Sequence, residues 1–254
     1  MNRLKGKTVL ITGATSGIGK AAAEEFALQE CNLILTGRRQ ERLEDFSKYL
    51  SSEYKITVAY HVFDIRELDA CKEFIEHLAL EVDILVNNAG LAVGLDPVQS
   101  GDFEDWDRMI DTNVKGLLAM TRLITPKMIE RNSGHVINIG STAGHETYPG
   151  GVVYSATKHA VKAITEATKK DLHGTKVRVS MVSPGLVETE FSNVRFKGDD
   201  ERADSVYKGM EPLTAQDIAE IIVFIANRPE HVNILDSIVI PVYQSSAQMV
   251  HRDA

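Results

Sequence analysis

The stretch Thr8-Val9-Leu10-Ile11-Thr12-Gly13-Ala14-Thr15-Ser16-Gly17-Ile18-Gly19 passes from a β-branched apolar run into a glycine-rich turn, and Ile18–Gln29 continues it with helical periodicity. Such a pattern predicts a strand, a tight turn and a helix. Glycines in a turn of this kind let the backbone approach a pyrophosphate, whose charge is favoured by free N–H groups and the positive end of the helix dipole. The same residues also suit a plain strand-to-helix turn. Their meaning therefore depends on the rest of the chain.

Outward from this unit, short apolar runs alternate with amphipathic segments. Strands are predicted at Thr8–Thr12, Asn32–Thr36, Thr57–Phe63, Asp83–Asn87, His135–Gly140, Val177–Val182 and Ser237–Val242. Helices are predicted at Ile18–Gln29, Arg42–Leu50, Glu67–Leu80, Trp106–Glu130, Tyr154–Leu172 and Ala215–Ala226. Continuous apolar strands separated by helices imply βαβ units with right-handed crossovers. The expected fold is α/β: a single doubly wound Rossmann domain over residues 1–254, with a seven-stranded, mostly parallel sheet and helices on both faces. Thr189–Lys208 breaks the rhythm with charge and no sustained period, and is expected to be a mobile excursion.

The 254 residues are 43% hydrophobic and 25% charged, enough for a sheet buried on both faces. A net charge of −8 speaks against nucleic-acid binding, which needs an excess of Lys and Arg. No apolar stretch suits a signal peptide or membrane span, so the expectation is a soluble cytoplasmic protein. Cys31 and Cys71 have no partners at metal spacing and are expected to be buried or spare thiols. His135 and His159 are read as packing or surface residues, and no metal is expected.

The turn's spacing, Gly-x-x-x-Gly-x-Gly, differs from the commoner dinucleotide fingerprint and resembles that of the short-chain dehydrogenase/reductase family. The resemblance extends to Asn87-Asn88-Ala89-Gly90, Asn113, Ser141, Tyr154-x-x-x-Lys158 and Pro184-Gly185, in the family's order across most of the chain. It implies a nicotinamide dinucleotide held by Gly13, Thr15, Ser16, Gly17, Ile18 and Gly19. Asp64 and Ile65 would contact adenine, and Asn88, Pro184, Gly185, Val187 and Thr189 would line the nicotinamide side. About 20 residues past the glycines an NAD enzyme carries an acidic residue for the ribose hydroxyls. Here Arg38 and Arg39 stand instead, and a guanidinium suits a 2′-phosphate. The expected cofactor is NADP.

Tyr154 and Lys158 lie four residues apart and emerge from one helix face. Lowering a phenol from ~10 by about two to three units takes about 3–4 kcal/mol. An ammonium at ~4 Å contributes on the order of 4 kcal/mol at an effective dielectric of about 20. Lys158 is therefore expected to supply most of the shift, and the positively charged oxidised nicotinamide to add to it. Tyr154 is assigned as proton-transfer acid/base, Lys158 as its partner and a ribose ligand, and Ser141 as hydrogen-bond donor to the substrate oxygen. By resemblance, Asn113 holds a water that links Lys158 to solvent. Each residue alone also has a structural reading; the four in order favour chemistry. No Gly-x-Ser-x-Gly elbow surrounds Ser141 to suggest a hydrolase.

Within the family, Glu190–Asp200 is similar to the lid of NADP-dependent 3-hydroxy acid dehydrogenases, and Pro229–Ile234 with Ile240–Gln244 is a second marker. Leu235-Asp236 departs from that pattern. The resemblance implies a lid at about 189–210 and a small hydroxy acid substrate of serine, allo-threonine or 3-hydroxypropionate type. Arg195, the lid's first arginine, is the candidate for the carboxylate, with an exposed lid charge as the plainer reading. A general carbonyl or 3-ketoacyl reductase and a non-catalytic NADP sensor are the alternatives. Apolar surface on the two long helices, and the habit of the family, imply a homotetramer.

Overall fold

The computed structural model describes residues 2–253. In chain order the elements are β1 (Thr8–Thr12), α1 (Gly17–Leu28), β2 (Asn32–Gly37), α2 (Gln40–Tyr54), β3 (Val58–Val62), α3 (Leu68–Glu76), β4 (Ile84–Asn87), α4 (Phe103–Ile110), α5 (Leu117–Glu130), β5 (Gly134–Ile139), α6 (Val152–Asp171), β6 (Val177–Pro184), α7 (Phe191–Arg195), α8 (Asp200–Ser205), α9 (Ala215–Ala226) and β7 (Asp236–Val239). Among the described residues the sheet has seven strands in the order β3-β2-β1-β4-β5-β6-β7. Every neighbouring pair is parallel.

Alternation along the strands builds two cores. Val9, Ile11, Leu33 and Leu35 pack with Phe26 of α1 and Ile218 and Ile222 of α9. Leu10, Ile34 and Leu85 face the other way, onto Phe74 of α3 and Met120 and Ile124 of α5. All five residues of β1 are buried, which explains its unbroken apolar sequence. Between β1 and β4 the strand order reverses. A crevice opens there beyond the carboxyl ends of the strands.

Several boundaries differ from the sequence expectation. The helix expected at Trp106–Glu130 begins earlier, at Phe103, and is interrupted by a π-turn over Asp111–Gly116 between α4 and α5. The edge strand β7 stops at Val239 rather than Val242, since Pro241 has no N–H for the ladder and Val242 points wholly into solvent. Thr189–Lys208 holds regular structure in α7 and α8, separated by a reversal through Lys197 (φ 55°) and Gly198 (φ 87°). Helices of five and six residues are too short to leave a period.

Candidate active site

A cleft of about 560 Å³ lies over the carboxyl ends of the strands. Its walls bring together Gly13, Thr15, Ser16, Gly17 and Ile18 from the first turn, Arg38 and Arg39 from the end of β2, and Asp64 and Ile65 from the end of β3. Asn88, Ser141, Tyr154, Lys158, Pro184, Gly185, Val187, Thr189 and Arg195 complete it. Two expected residues stand behind the wall. Gly19 faces the Asn88 amide and the Gly13 carbonyl too closely to admit a Cβ, and Asn113 is buried behind Gly90.

The first turn is built for close approach. Gly13 sits at φ 69°, and a Cβ there would come within 2.9 Å of the Ala89 Cα. Asn88 braces the turn: its Nδ2 donates to the carbonyls of Thr12 at 2.9 Å and Gly13 at 3.1 Å. The Thr12 hydroxyl accepts from the backbone N–H of Asn88 and of Ala89, both at 3.0 Å. The amide of Asn88 is thereby spent on the turn, although the residue lines the cleft.

At the far end, Arg39 donates from Nε to the Thr15 hydroxyl at 2.9 Å and from Nη2 to the Ser16 hydroxyl at 2.7 Å. Its Nη1 meets Glu190 Oε2 at 2.7 Å, while Arg42 meets Glu190 Oε1 at 2.8 Å. Arg38 lies 3.5 Å from Asp64, which Arg66 also holds at 2.7 Å. Burial alone would raise the Asp64 carboxyl, but hydrogen bonds and charge from Arg66, with Arg38 behind, keep it below its ordinary value. Close backbone approach in the turn and guanidinium groups beyond it form a donor set that fits a dinucleotide with a phosphorylated ribose.

At the opposite end, α6 presents Tyr154 and Lys158, both buried, on one face. Lys158 Nζ donates to the Ile139 carbonyl at 2.8 Å and lies 5.9 Å from the centre of the Tyr154 ring. Ser141 begins a short 3-10 turn, its hydroxyl accepting from Ala143 N–H at 3.1 Å. Asn113 sits in the π-turn, where its Oδ1 accepts from Leu91 N–H at 2.9 Å and its Nδ2 donates to the Leu91 carbonyl at 2.8 Å and the Thr157 hydroxyl at 3.1 Å. Its side chain holds the Leu91 loop against the helix.

The expected lowering of the Tyr154 phenol by Lys158 does not occur in the folded chain. Tyr154 is pushed up to about 12, by burial first and by Tyr148 next, against the pull of Ser141 and Arg195. Burial likewise brings Lys158 down to about 8. The ammonium is directed at a backbone carbonyl, and desolvation penalises both charges. A usable phenolate needs further positive charge in the cleft.

Over these residues stands α7. Phe191 packs edge-on to the Tyr154 ring at 5.7 Å, and the Arg195 guanidinium lies 5.7 Å from the same ring centre. Arg195 Nη2 donates to the Tyr148 hydroxyl at 2.8 Å. The tail seals this end: Gln244 Oε1 accepts from Leu186 N–H at 2.9 Å, Glu146 accepts from Ala247 N–H at 2.9 Å, and Arg252 donates to the Val206 carbonyl at 2.9 Å. Tyr148, Arg42 and Glu190 carry no role in the sequence reading. Arg42 follows Arg39 by one helical turn, a usable signal; Tyr148 lies in a loop and meets Arg195 only through the fold.

Outside the cleft, His135 is buried with Nε2 2.8 Å from the Ser180 hydroxyl, and His159 turns back on the Ser155 carbonyl at 2.9 Å, both as packing residues. Among the described residues no three His, Cys, Asp or Glu side chains gather to hold a metal, and no helix is long and apolar enough to cross a membrane.

The short chain dehydrogenase family model matches residues 7–200. Over 256 aligned residues the chain is 47% identical to the NADP-dependent 3-hydroxy acid dehydrogenase of Schizosaccharomyces pombe, covering 99% of each. It is 48% identical over 249 residues to the NADP-dependent 3-hydroxy acid dehydrogenase YdfG of Escherichia coli, covering 96% of this chain and 99% of that one. Among solved structures, the closed form of serine dehydrogenase complexed with NADP+ superposes with a TM-score of 0.91 at 48% identity, covering 96% of this chain and 99% of that chain. With the family's motifs gathered around one cleft at the switch point of its sheet, the chain belongs to the short-chain dehydrogenase family.

Proposed function

We propose that this chain is an NADP-dependent oxidoreductase that moves hydride between the dinucleotide and a small 3-hydroxy acid, of serine, allo-threonine or 3-hydroxypropionate type, or the matching carbonyl. The observation that carries the substrate class is Arg195, a cation that lines the cleft with its guanidinium 5.7 Å from the Tyr154 ring centre. A carboxylate bound there through charge-assisted hydrogen bonds brings a carbinol two bonds away toward Tyr154 and Ser141.

When bound, the nicotinamide carries the hydride, and its oxidised ring adds positive charge to the site. Tyr154 Oη takes the hydroxyl proton during oxidation and returns it during reduction. Ser141 donates a hydrogen bond to the substrate oxygen. Lys158 holds a ribose hydroxyl and favours the phenolate. Asn113 fixes the Leu91 loop beside Lys158 and, as the family resemblance implies, a water that reaches that ammonium. Arg38 and Arg39 take the 2′-phosphate. Residues 189–210 act as the lid of a one-domain chain spanning residues 1–254.

The reading extends to a cytoplasmic homotetramer. Phe103 of α4, Leu118 and Ile129 of α5 and Val152 of α6 are exposed apolar side chains that suit helix-on-helix contacts between copies. Light scattering on the eluting protein checks this assembly, and a monomer mass would remove it.

The function is tested by following NADPH absorbance while the protein oxidises L-serine, L-allo-threonine and 3-hydroxypropionate, with NAD and Tyr154→Phe as controls. Turnover with NADP that vanishes in the variant supports the reading. Activity confined to simple ketones or ketoacyl esters overturns the hydroxy acid substrate, and tight NADPH binding without turnover on either panel overturns the enzyme.

A further inference from the structure

Arg39 and Arg42 stand at the N-terminal end of α2, Arg39 as its N-cap residue. Two cations there oppose the positive end of the helix dipole, so they do not serve the helix. What they bind is an anion from 148 and more residues away in sequence: each oxygen of Glu190 takes one guanidinium, at 2.7 Å and 2.8 Å. Arg39 reaches at the same time to the Thr15 and Ser16 hydroxyls of the glycine turn. Glu190 is thus joined to the arginines across the cofactor end of the cleft.

Glu190 is also the residue that precedes α7, a five-residue helix with Phe191 and Arg195 against Tyr154. Its neighbour Thr189 touches the glycine turn, since a Cβ at Gly17 would meet the Thr189 side chain at 3.4 Å. One end of this short rod is therefore fastened at the adenosine side and the other stands at the chemistry.

We propose that Glu190 is a specificity-determining and positioning residue whose carboxylate, bridged to Arg42, occupies the guanidinium of Arg39 that the cofactor's 2′-phosphate takes, so that phosphate exchanges for carboxylate and frees the start of α7. The inference rests on the reading of Arg39 as a 2′-phosphate ligand. A dinucleotide without the phosphate leaves the Glu190 bridge closed. The phosphorylated one opens it, and α7 with Arg195 is then free to settle on the substrate acid. Discrimination between the two dinucleotides thereby reaches the substrate end of the cleft.

The test is calorimetric titration of the whole protein with adenosine 2′,5′-bisphosphate and with 5′-AMP, for wild type, Glu190→Gln, Arg39→Ala and Glu188→Gln. The last is a control for lost negative charge two residues away, at a residue whose backbone N–H donates to the Leu213 carbonyl. Glu190→Gln is expected to tighten the bisphosphate by about three- to ten-fold, the worth of one or two partly exposed ion pairs, with 5′-AMP and Glu188→Gln unchanged. In turnover, Glu190→Gln should lower KM for NADP while narrowing the difference between NADP and NAD in KM for the hydroxy acid. Unchanged or weaker bisphosphate binding in Glu190→Gln, with Arg39→Ala still weakening it, overturns the exchange and leaves the arginine assignment standing. If Arg39→Ala binds the bisphosphate as wild type does, the phosphate site itself is misplaced and the exchange falls with it.

Discussion

Burial acts on Tyr154 and Lys158 in opposite directions, pushing the first up to about 12 and the second down to about 8. Lys158 has an unfolded value near 10.5, so between about 8 and 10.5 the unfolded chain binds the extra proton and stability rises with pH across that window. Tyr154 works the other way above 10, where the unfolded phenol ionises and the folded one does not. Lys158→Met should therefore gain most over wild type at pH 7, with the gap narrowing by roughly 3 kcal/mol toward pH 10. Urea unfolding at several pH values measures it, and a constant gap would show that burial of the ammonium is not what governs Lys158. Tyr154→Phe keeps the ring's packing on Phe191 and removes only the hydroxyl. Turnover should fall by about 10²- to 10⁴-fold while NADPH binding stays within a few-fold, read by cofactor fluorescence; a variant that retains turnover would move proton transfer elsewhere.

Among the elements, α7 and the π-turn carry the most function. Arg195→Met should raise KM for a hydroxy acid about 10- to 100-fold, the loss of a charge-assisted hydrogen bond of about 1.5–3 kcal/mol, and leave a neutral carbonyl substrate little affected. Equal losses on both substrates would mean that Arg195 only positions Tyr148. Asn113→Ala strands the buried N–H and carbonyl of Leu91, which the side chain now satisfies, and should cost about 2–4 kcal/mol of stability in thermal or urea melts. The inner strands β1, β2, β4, β5 and β6 were legible because each is a short apolar run that is mostly buried, Tyr154 and Lys158 because their spacing put them on one helix face, and the glycine turn because its spacing resembles that of a known family. The π-turn was not, for its apolar positions continue the helical rhythm, and the bonds from Asn113 to Leu91 are made only in the fold. The end of β7 was hidden by Ile240 and Val242, which look like strand residues yet lie beyond the reach of the ladder. Tyr148 and Glu190 escaped notice because their partners are more than 40 residues away.

At the scale of the molecule, the two thiols report on both layers. Cys31 belongs to the core on one face of the sheet and Cys71 to the core on the other. Burial pushes them up to about 12 and about 11. In the native protein neither should react with a thiol-specific reagent at neutral pH. During urea unfolding both should become reactive along the same transition that removes the helical circular-dichroism signal. Separate transitions would show that the two layers unfold independently. A different consequence attaches to the excursion between β6 and β7. It leaves the sheet at Pro184 and rejoins the core at α9, where Ile218 and Ile222 pack on the strands, so its ends are fixed while the stretch between them is not. Such a segment is a cassette: a graft from a relative could be received without rethreading any strand, and selection for new substrates could work there while the sheet stays untouched. The tail sets the condition on such grafts, because Arg252 holds the Val206 carbonyl and Asp253 N–H the Gly209 carbonyl, and a foreign cassette would have to arrive with the tail that matches it.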